Sequence, residues 1–298
     1  MKYLSIKDNF LAIEEKYSNL KDSKIAILSA PYEHTVSYGT GAGNGPEAII
    51  NASQYVEFYD DEFDSELCFD KGIVTIKPLE FGNSTDADVL KIIGDAVDEL
   101  LAMDKFVVTL GGEHSISTAP ILSHFKKYPE MSILHFDAHS DLRDSYEGNK
   151  YSHASFLARV CEKFDPSLIT QIGIRAQCKE EAEYIKANKV NTFYASAIRR
   201  GLHGENWQKK AVDTLSDTVY ITFDIDFFDP SIIPATGTPE PDGFLYSETL
   251  DVFRELVKSG KKIIGFDVVE LAPDDNAVHC DITSARLIYK ILNFAFNK

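Results

Sequence analysis

Apolar runs alternate along the chain with amphipathic stretches. The runs at 24–28, 72–76, 106–110, 131–136, 168–174, 191–194, 219–225 and 262–269 read as strands. Several are apolar throughout, as parallel strands covered on both faces should be. Helical stretches lie between them. Thr85 and Asp88 have the spacing of a capping box for a helix reaching about residue 101. Ser247 is placed to cap a helix through Lys258 that stops near Gly260. Gly45-Pro46 puts a proline where a first helical turn tolerates it, and 281–296 reads as a closing amphipathic helix. Alternation over the whole length predicts a mainly parallel sheet with helices on both faces. An eight-stranded barrel gives the same alternation. No repeat, linker or low-complexity tract interrupts it, so a single domain over residues 1–298 is expected.

In either architecture, chemistry belongs at the carboxyl ends of the strands. The sequence follows that rule. The run at 106–110 leads into Gly111-Gly-Glu-His-Ser115, and the run at 131–136 into Asp137-Ala-His-Ser-Asp141. Val219-Tyr-Ile-Thr-Phe223 leads into Asp224-Ile-Asp-Phe-Phe-Asp-Pro230, and the last apolar run leads into Glu270. Side chains at i and i+2 of a strand share a face. Asp137, His139 and Asp141 therefore converge if extended geometry continues past the strand, as do Asp224 and Asp226.

Four carboxylates gathered at buried strand ends repel strongly, and divalent cations resolve the conflict. His114, Asp137, His139, Asp141, Asp224 and Asp226 are the expected cage for two metals. Hard oxygens with some nitrogen suit manganese; iron, cobalt and zinc are alternatives, and thiolates are absent. The charge count favours a neutral or cationic substrate over phosphate. A lone Asp-x-Asp is usually a loop or cap, but separate motifs at several strand ends are harder to dismiss. His135 is out of phase with His139 and reads as a core histidine. His34, His124, His203 and His279 have no metal-like partners.

Composition adds exclusions. The chain has 298 residues, 44% of them hydrophobic, and needs no disulfide staples. Cys68, Cys161, Cys178 and Cys280 show no zinc spacing and read as reduced thiols. The N-terminus lacks the apolar core of a signal peptide, and no run is long enough to span a bilayer, so a cytoplasmic protein is expected. A formal charge of −17 argues against nucleic acid or an anionic membrane as partner.

At these motifs the chain resembles the ureohydrolase family of arginases and agmatinases, from about Gly41 to the C-terminus, and most resembles agmatinases. The resemblance rests on Gly-Gly-Glu-His, Asp-Ala-His-x-Asp, and Asp-x-Asp-x-x-Asp-Pro followed by Gly237-Thr-Pro-Glu-Pro. It implies a three-layer α/β/α sandwich around an eight-stranded sheet, which removes the barrel. It also implies two manganese ions that split a guanidino group into urea and an amine, in a homo-oligomer, a trimer or hexamer. His114 and Asp141 would bind one ion, His139 and Asp226 the other, and Asp137 and Asp224 both. Glu270 matches the glutamate that pairs with the guanidinium, Thr238 a threonine beside it, and His153 a proton-shuttling histidine. Around His153 the chain departs from the agmatinase His-Gly-Thr, reading Ser152-His-Ala-Ser155. Asp229 would serve a turn.

The substrate is expected to be a small cationic guanidino compound. The segment 142–151 lacks the arginase loop that reads an amino acid's carboxylate and amine. Asp144 and Glu147 could instead face the distal ammonium of agmatine or aminopropylagmatine. Arg143 and Lys150 could bind a carboxylate, which keeps guanidinobutyrate and formiminoglutamate open. A non-catalytic relative and a two-metal phosphoesterase are further alternatives. The intact ligand set argues against the former, and missing basic phosphate clamps against the latter.

Overall fold

The computed structural model describes residues 1–297; Lys298, the last residue of the expected domain, lies outside the described residues. Eight strands form where the apolar runs predict them. They are β1 (Ile25–Ala30), β2 (Ile73–Thr75), β3 (Phe106–Gly111), β4 (Ser132–Phe136), β5 (Ile169–Ile172), β6 (Asn191–Phe193), β7 (Thr218–Asp224) and β8 (Lys262–Val269). They make one sheet in the order β2-β1-β3-β8-β7-β4-β5-β6, every neighbouring pair parallel. The sheet is open at both edges, so the fold is the three-layer sandwich and not the barrel.

Strand alternation builds the layers. Ile25 and Ile27 of β1 pack into one core, while Ala26, Leu28 and Ala30 pack into another on the opposite face. Helices Gly45–Ser53, Tyr246–Lys258 and His279–Phe296 cover the first face. Helices Asp86–Ala102, Thr118–Lys127 and Phe156–Cys161 cover the second. Both faces of the sheet are therefore dry, which is why its strands read as continuous apolar runs. The four cysteines are free thiols. Among the described residues, no helix is long and apolar enough to cross a membrane.

Local caps differ from the sequence expectation. Thr85 precedes its helix, but its side chain makes no cap bond. The Asp86 N–H donates instead to the Tyr32 hydroxyl, 3.1 Å away, so a distant partner satisfies that helix end. The later helix begins at Tyr246, and Glu248 accepts the Leu245 N–H at 2.8 Å. Ser247 lies inside the first turn and caps nothing. The closing helix starts at His279, two residues earlier than expected.

The strand order explains where a site can form. β3 and β4 follow each other in sequence but are separated in the sheet by β8 and β7. Connections leave this point in opposite directions, which opens a crevice at the carboxyl ends. The register keeps those ends level, with Leu110 opposite Val268, Val268 opposite Phe223, and Phe223 opposite Phe136.

Candidate active site

The polar residues expected at the strand ends lie side by side beyond this level edge. β3 continues through Gly112, where a Cβ would come within 1.8 Å of the Tyr32 carbonyl oxygen. Only glycine lets the chain pass there. Glu113 follows, and His114 opens a short 3-10 turn, His114–Ser117. Asp137 comes just after β4, Asp224 ends β7, and Glu270 comes just after β8.

Turns, not continued strand geometry, bring the acidic residues together. Asp137 Oδ1 accepts the His139 N–H at 2.5 Å, and Asp224 Oδ1 accepts the Asp226 N–H at 2.8 Å. Beyond the sheet these N–H groups have no ladder partner, and the carboxylate two residues back captures them. Asp226 sits in a 3-10 turn, Ile225–Phe227, and Asp141 has a left-handed φ of 51°. Glu270, at φ 67°, is also left-handed, a strained state for a glutamate and one that concentrates at functional sites.

The six expected ligands form one cluster. His114 Nδ1 lies 3.1 Å from Asp137 Oδ2 and 3.2 Å from both Asp141 Oδ2 and Asp224 Oδ2. His139 Nδ1 lies 2.9 Å from Asp226 Oδ2 and 3.6 Å from Asp137 Oδ1. All are buried except His139, which is half-buried. Burial and the Asp137 charge push Asp141 up to about 6. Burial, with Asp226 and Asp137, raises Asp224 well above the usual carboxylate range. Asp137 goes the other way: burial opposes ionisation, but His135, His114 and His139 together hold it well below that range. Burial works to lower His114 and His139, yet the surrounding carboxylates raise both well above an ordinary imidazole. By themselves these side chains retain protons where a cation would sit.

Hydrogen bonding indicates the same. Thr222 donates its hydroxyl proton to Asp267 Oδ1 at 2.7 Å, so it can only accept from His114 Nε2, 2.9 Å away. In the neutral ring the His114 proton is then on Nε2, and the Nδ1 lone pair faces the carboxylates. Nδ1 makes no aligned hydrogen bond among the described residues despite its burial. A buried lone pair aimed at carboxylate oxygens is repulsive unless a cation lies between. Two overlapping groups could hold metals: His114 with His135 and Asp137, and Asp137 with His139 and Asp226. His135 has a different task in this arrangement. Gln171 Nε2 donates to its Nδ1 at 3.1 Å, and its Nε2 donates to Asp137 Oδ2 at 2.7 Å. It orients Asp137.

A cleft of about 530 Å³ opens over this floor, and His139, Asp141, Asp224, Glu270, His153 and Thr238 all line it. Glu270 Oε1 accepts the His114 N–H at 2.6 Å, and burial with the nearby Glu113 charge pushes Glu270 up to about 8. Burial lowers His153 below an ordinary imidazole. The expected rim residues fare differently. Arg143 lines the cleft, but Asp144, Glu147 and Lys150 do not. Asp144 turns to Arg159, 3.0 Å away, and Lys150 lies over the Tyr151 ring. Glu181 and Glu240 line the cleft instead. Glu181 accepts the N–H groups of Leu142 and Cys178, whereas the Glu240 carboxylate has no partner among the described residues. Asp229 makes a turn, accepting from Ser231 and Gly243.

Sequence reasoning missed several supports. Thr222 and Asp267 sit wholly buried inside apolar strand runs, and a polar residue in a doubly covered strand was the signal available. Arg175 gave no such signal. Its guanidinium gathers carbonyls from both sides of the cleft, including Asp226 O at 2.7 Å and Glu240 O at 2.9 Å. Glu113 and Thr35, on two separate loops, are the other omissions.

A family model described as the Arginase family matches residues 23–293. An N(1)-aminopropylagmatine ureohydrolase from Synechocystis is 36% identical over 98% of this chain and 95% of its own length. A Bacillus cereus agmatinase is 34% identical over 93% of this chain and 94% of its own. The agmatine ureohydrolase structure of Thermoplasma volcanium superposes with a TM-score of 0.84 at 28% identity, covering 99% of this chain and 94% of that one. With the strand-end cluster in place, these matches show that the chain belongs to the arginase family, as an agmatinase-like ureohydrolase.

Proposed function

We propose that the protein is a binuclear manganese hydrolase that converts agmatine and water to putrescine and urea. One observation carries the reading: four buried carboxylates and two imidazoles face one another beside Glu270. His114, Asp137, His139, Asp141, Asp224 and Asp226 would hold the two ions, with His114 and Asp141 serving one, His139 and Asp226 the other, and Asp137 and Asp224 shared. When bound, such ions supply Lewis acidity and a water acidic enough to attack at neutral pH. Glu270 accepts two guanidinium N–H bonds and fixes the carbon over the attacking oxygen, with Thr238 beside it. Asp141 takes the proton released as the carbon–oxygen bond forms. The carbon–nitrogen bond then breaks, and the leaving amine gains a proton through His153.

The unpaired Glu240 carboxylate is matched to the distal ammonium of agmatine. A second reading, aminopropylagmatine, is favoured by the Synechocystis relative at 36% identity. The proposal includes a single catalytic domain over residues 1–298 and a cytoplasmic homo-oligomer, a trimer or hexamer. The test is urea release with manganese from agmatine, aminopropylagmatine, guanidinobutyrate and arginine. Agmatine is expected to give the highest kcat/KM; no urea from any of the four contradicts the proposal.

A further inference from the structure

Glu113 is wholly buried and is not among the expected metal ligands, yet both its oxygens are engaged. Oε2 accepts the backbone N–H groups of His34 and Thr35, each at 2.6 Å. Oε1 accepts the hydroxyls of Thr35 at 2.8 Å and Ser115 at 2.5 Å. The Thr35 hydroxyl in turn meets His153 twice. It accepts the His153 backbone N–H at 3.0 Å, and it lies 3.3 Å from the ring Nδ1. Three segments distant in sequence thus meet at one hydroxyl.

The direction of these bonds follows from donor counting. A carboxylate only accepts, so the Thr35 hydroxyl proton points to Glu113. Its lone pairs are then all that remain for His153, and Nδ1 must supply the proton between them. Ser152 Oγ is farther from Nδ1, at 3.4 Å, and it accepts from the Ala154 N–H. Nε2, on the far side of the ring, has no hydrogen-bond partner among the described residues, and His153 lines the cleft.

We propose that Thr35, held by Glu113, is a positioning residue that locks His153 as the Nδ1–H tautomer and leaves a bare Nε2 to carry protons. The proposal rests on His153 serving as the proton carrier in the reading above. A ring free to exchange tautomers would present the wrong nitrogen for part of the time. Thr35 therefore acts on catalysis through His153 alone.

The experiment compares Thr35→Val and Thr35→Ser in the manganese-loaded enzyme, each with His153 intact and with His153→Ala, on the substrate that releases most urea. Thr35→Val should lower kcat about 10- to 100-fold while KM and metal content hold. Thr35→Ser, which keeps the hydroxyl, should stay within about threefold of the parent, and in the His153→Ala background Thr35→Val should cost less than about twofold. Equal losses in both backgrounds, or a serine variant as slow as valine, would overturn the proposal. If His153→Ala is as active as the parent, the proton-carrier reading itself is wrong. A second measurement needs no turnover. Nitrogen-15 spectra of zinc-loaded protein, with His153 assigned by its loss in His153→Ala, should show a proton on Nδ1 that becomes shared in Thr35→Val. A parent ring protonated on Nε2 overturns the proposal whatever the kinetics.

Discussion

Asp137, on the floor of the cleft, is wholly buried and lies within reach of three imidazoles, whereas Asp144, at the rim, has a side chain 97% exposed and holds a single arginine. The floor takes its geometry from the sheet, because register levels the strand ends and His135, Thr222 and Asp267 orient side chains of the cluster from within the strands. The rim takes its geometry from loops, whose charges pair with whatever lies near. A substitution on the floor should therefore remove the site, and one on the rim should retune it.

The largest effect is expected for Asp137→Ala. Removing the carboxylate shared by both candidate metal groups should abolish metal binding and cut urea release more than about a thousandfold. Metal content by mass spectrometry and the rate are read together, and a fully active metal-poor variant would break the contrast. Glu270→Gln comes next. It should keep its metal but lose about two orders of magnitude in kcat/KM, because a neutral amide cannot pair with a guanidinium through charge.

The floor should also respond to pH. Asp141, Asp224, Glu270, His114 and His139 are all raised, so their contribution to stability is present in acid and is lost as pH rises through their folded values. Asp137 is lowered and opposes this in part. Manganese bound at the cluster would displace the protons its ligands retain, so its gain in Tm should grow as pH rises through about 6, where Asp141 titrates. A gain that shrinks over that window would contradict the linkage. The smallest effect belongs to the rim. Glu240→Gln should raise KM for agmatine about three- to tenfold with kcat held, while Asp144→Asn should change neither.

The sheet was legible because both its faces are dry, and eight apolar runs had no other good explanation. The ligand motifs were legible because each interrupts such a run at its carboxyl end. How they converge was not. Asp141 and Asp226 reach the cluster through a left-handed residue and a 3-10 turn, which a two-residue period does not encode. Asp144 and Glu147 were misplaced for the same reason, since a loop's charges carry no register. Thr35 and Glu113 form a pair only in space, 78 residues apart.

Titrating metal-free protein with manganese while following urea release from agmatine asks whether the strand-end cluster is the catalytic centre. Activity should be negligible without metal and should saturate at about two equivalents per chain, with Glu270→Gln binding the same amount but turning over far more slowly. Full urea release from metal-free protein, or saturation with no metal bound at the cluster, would contradict the account.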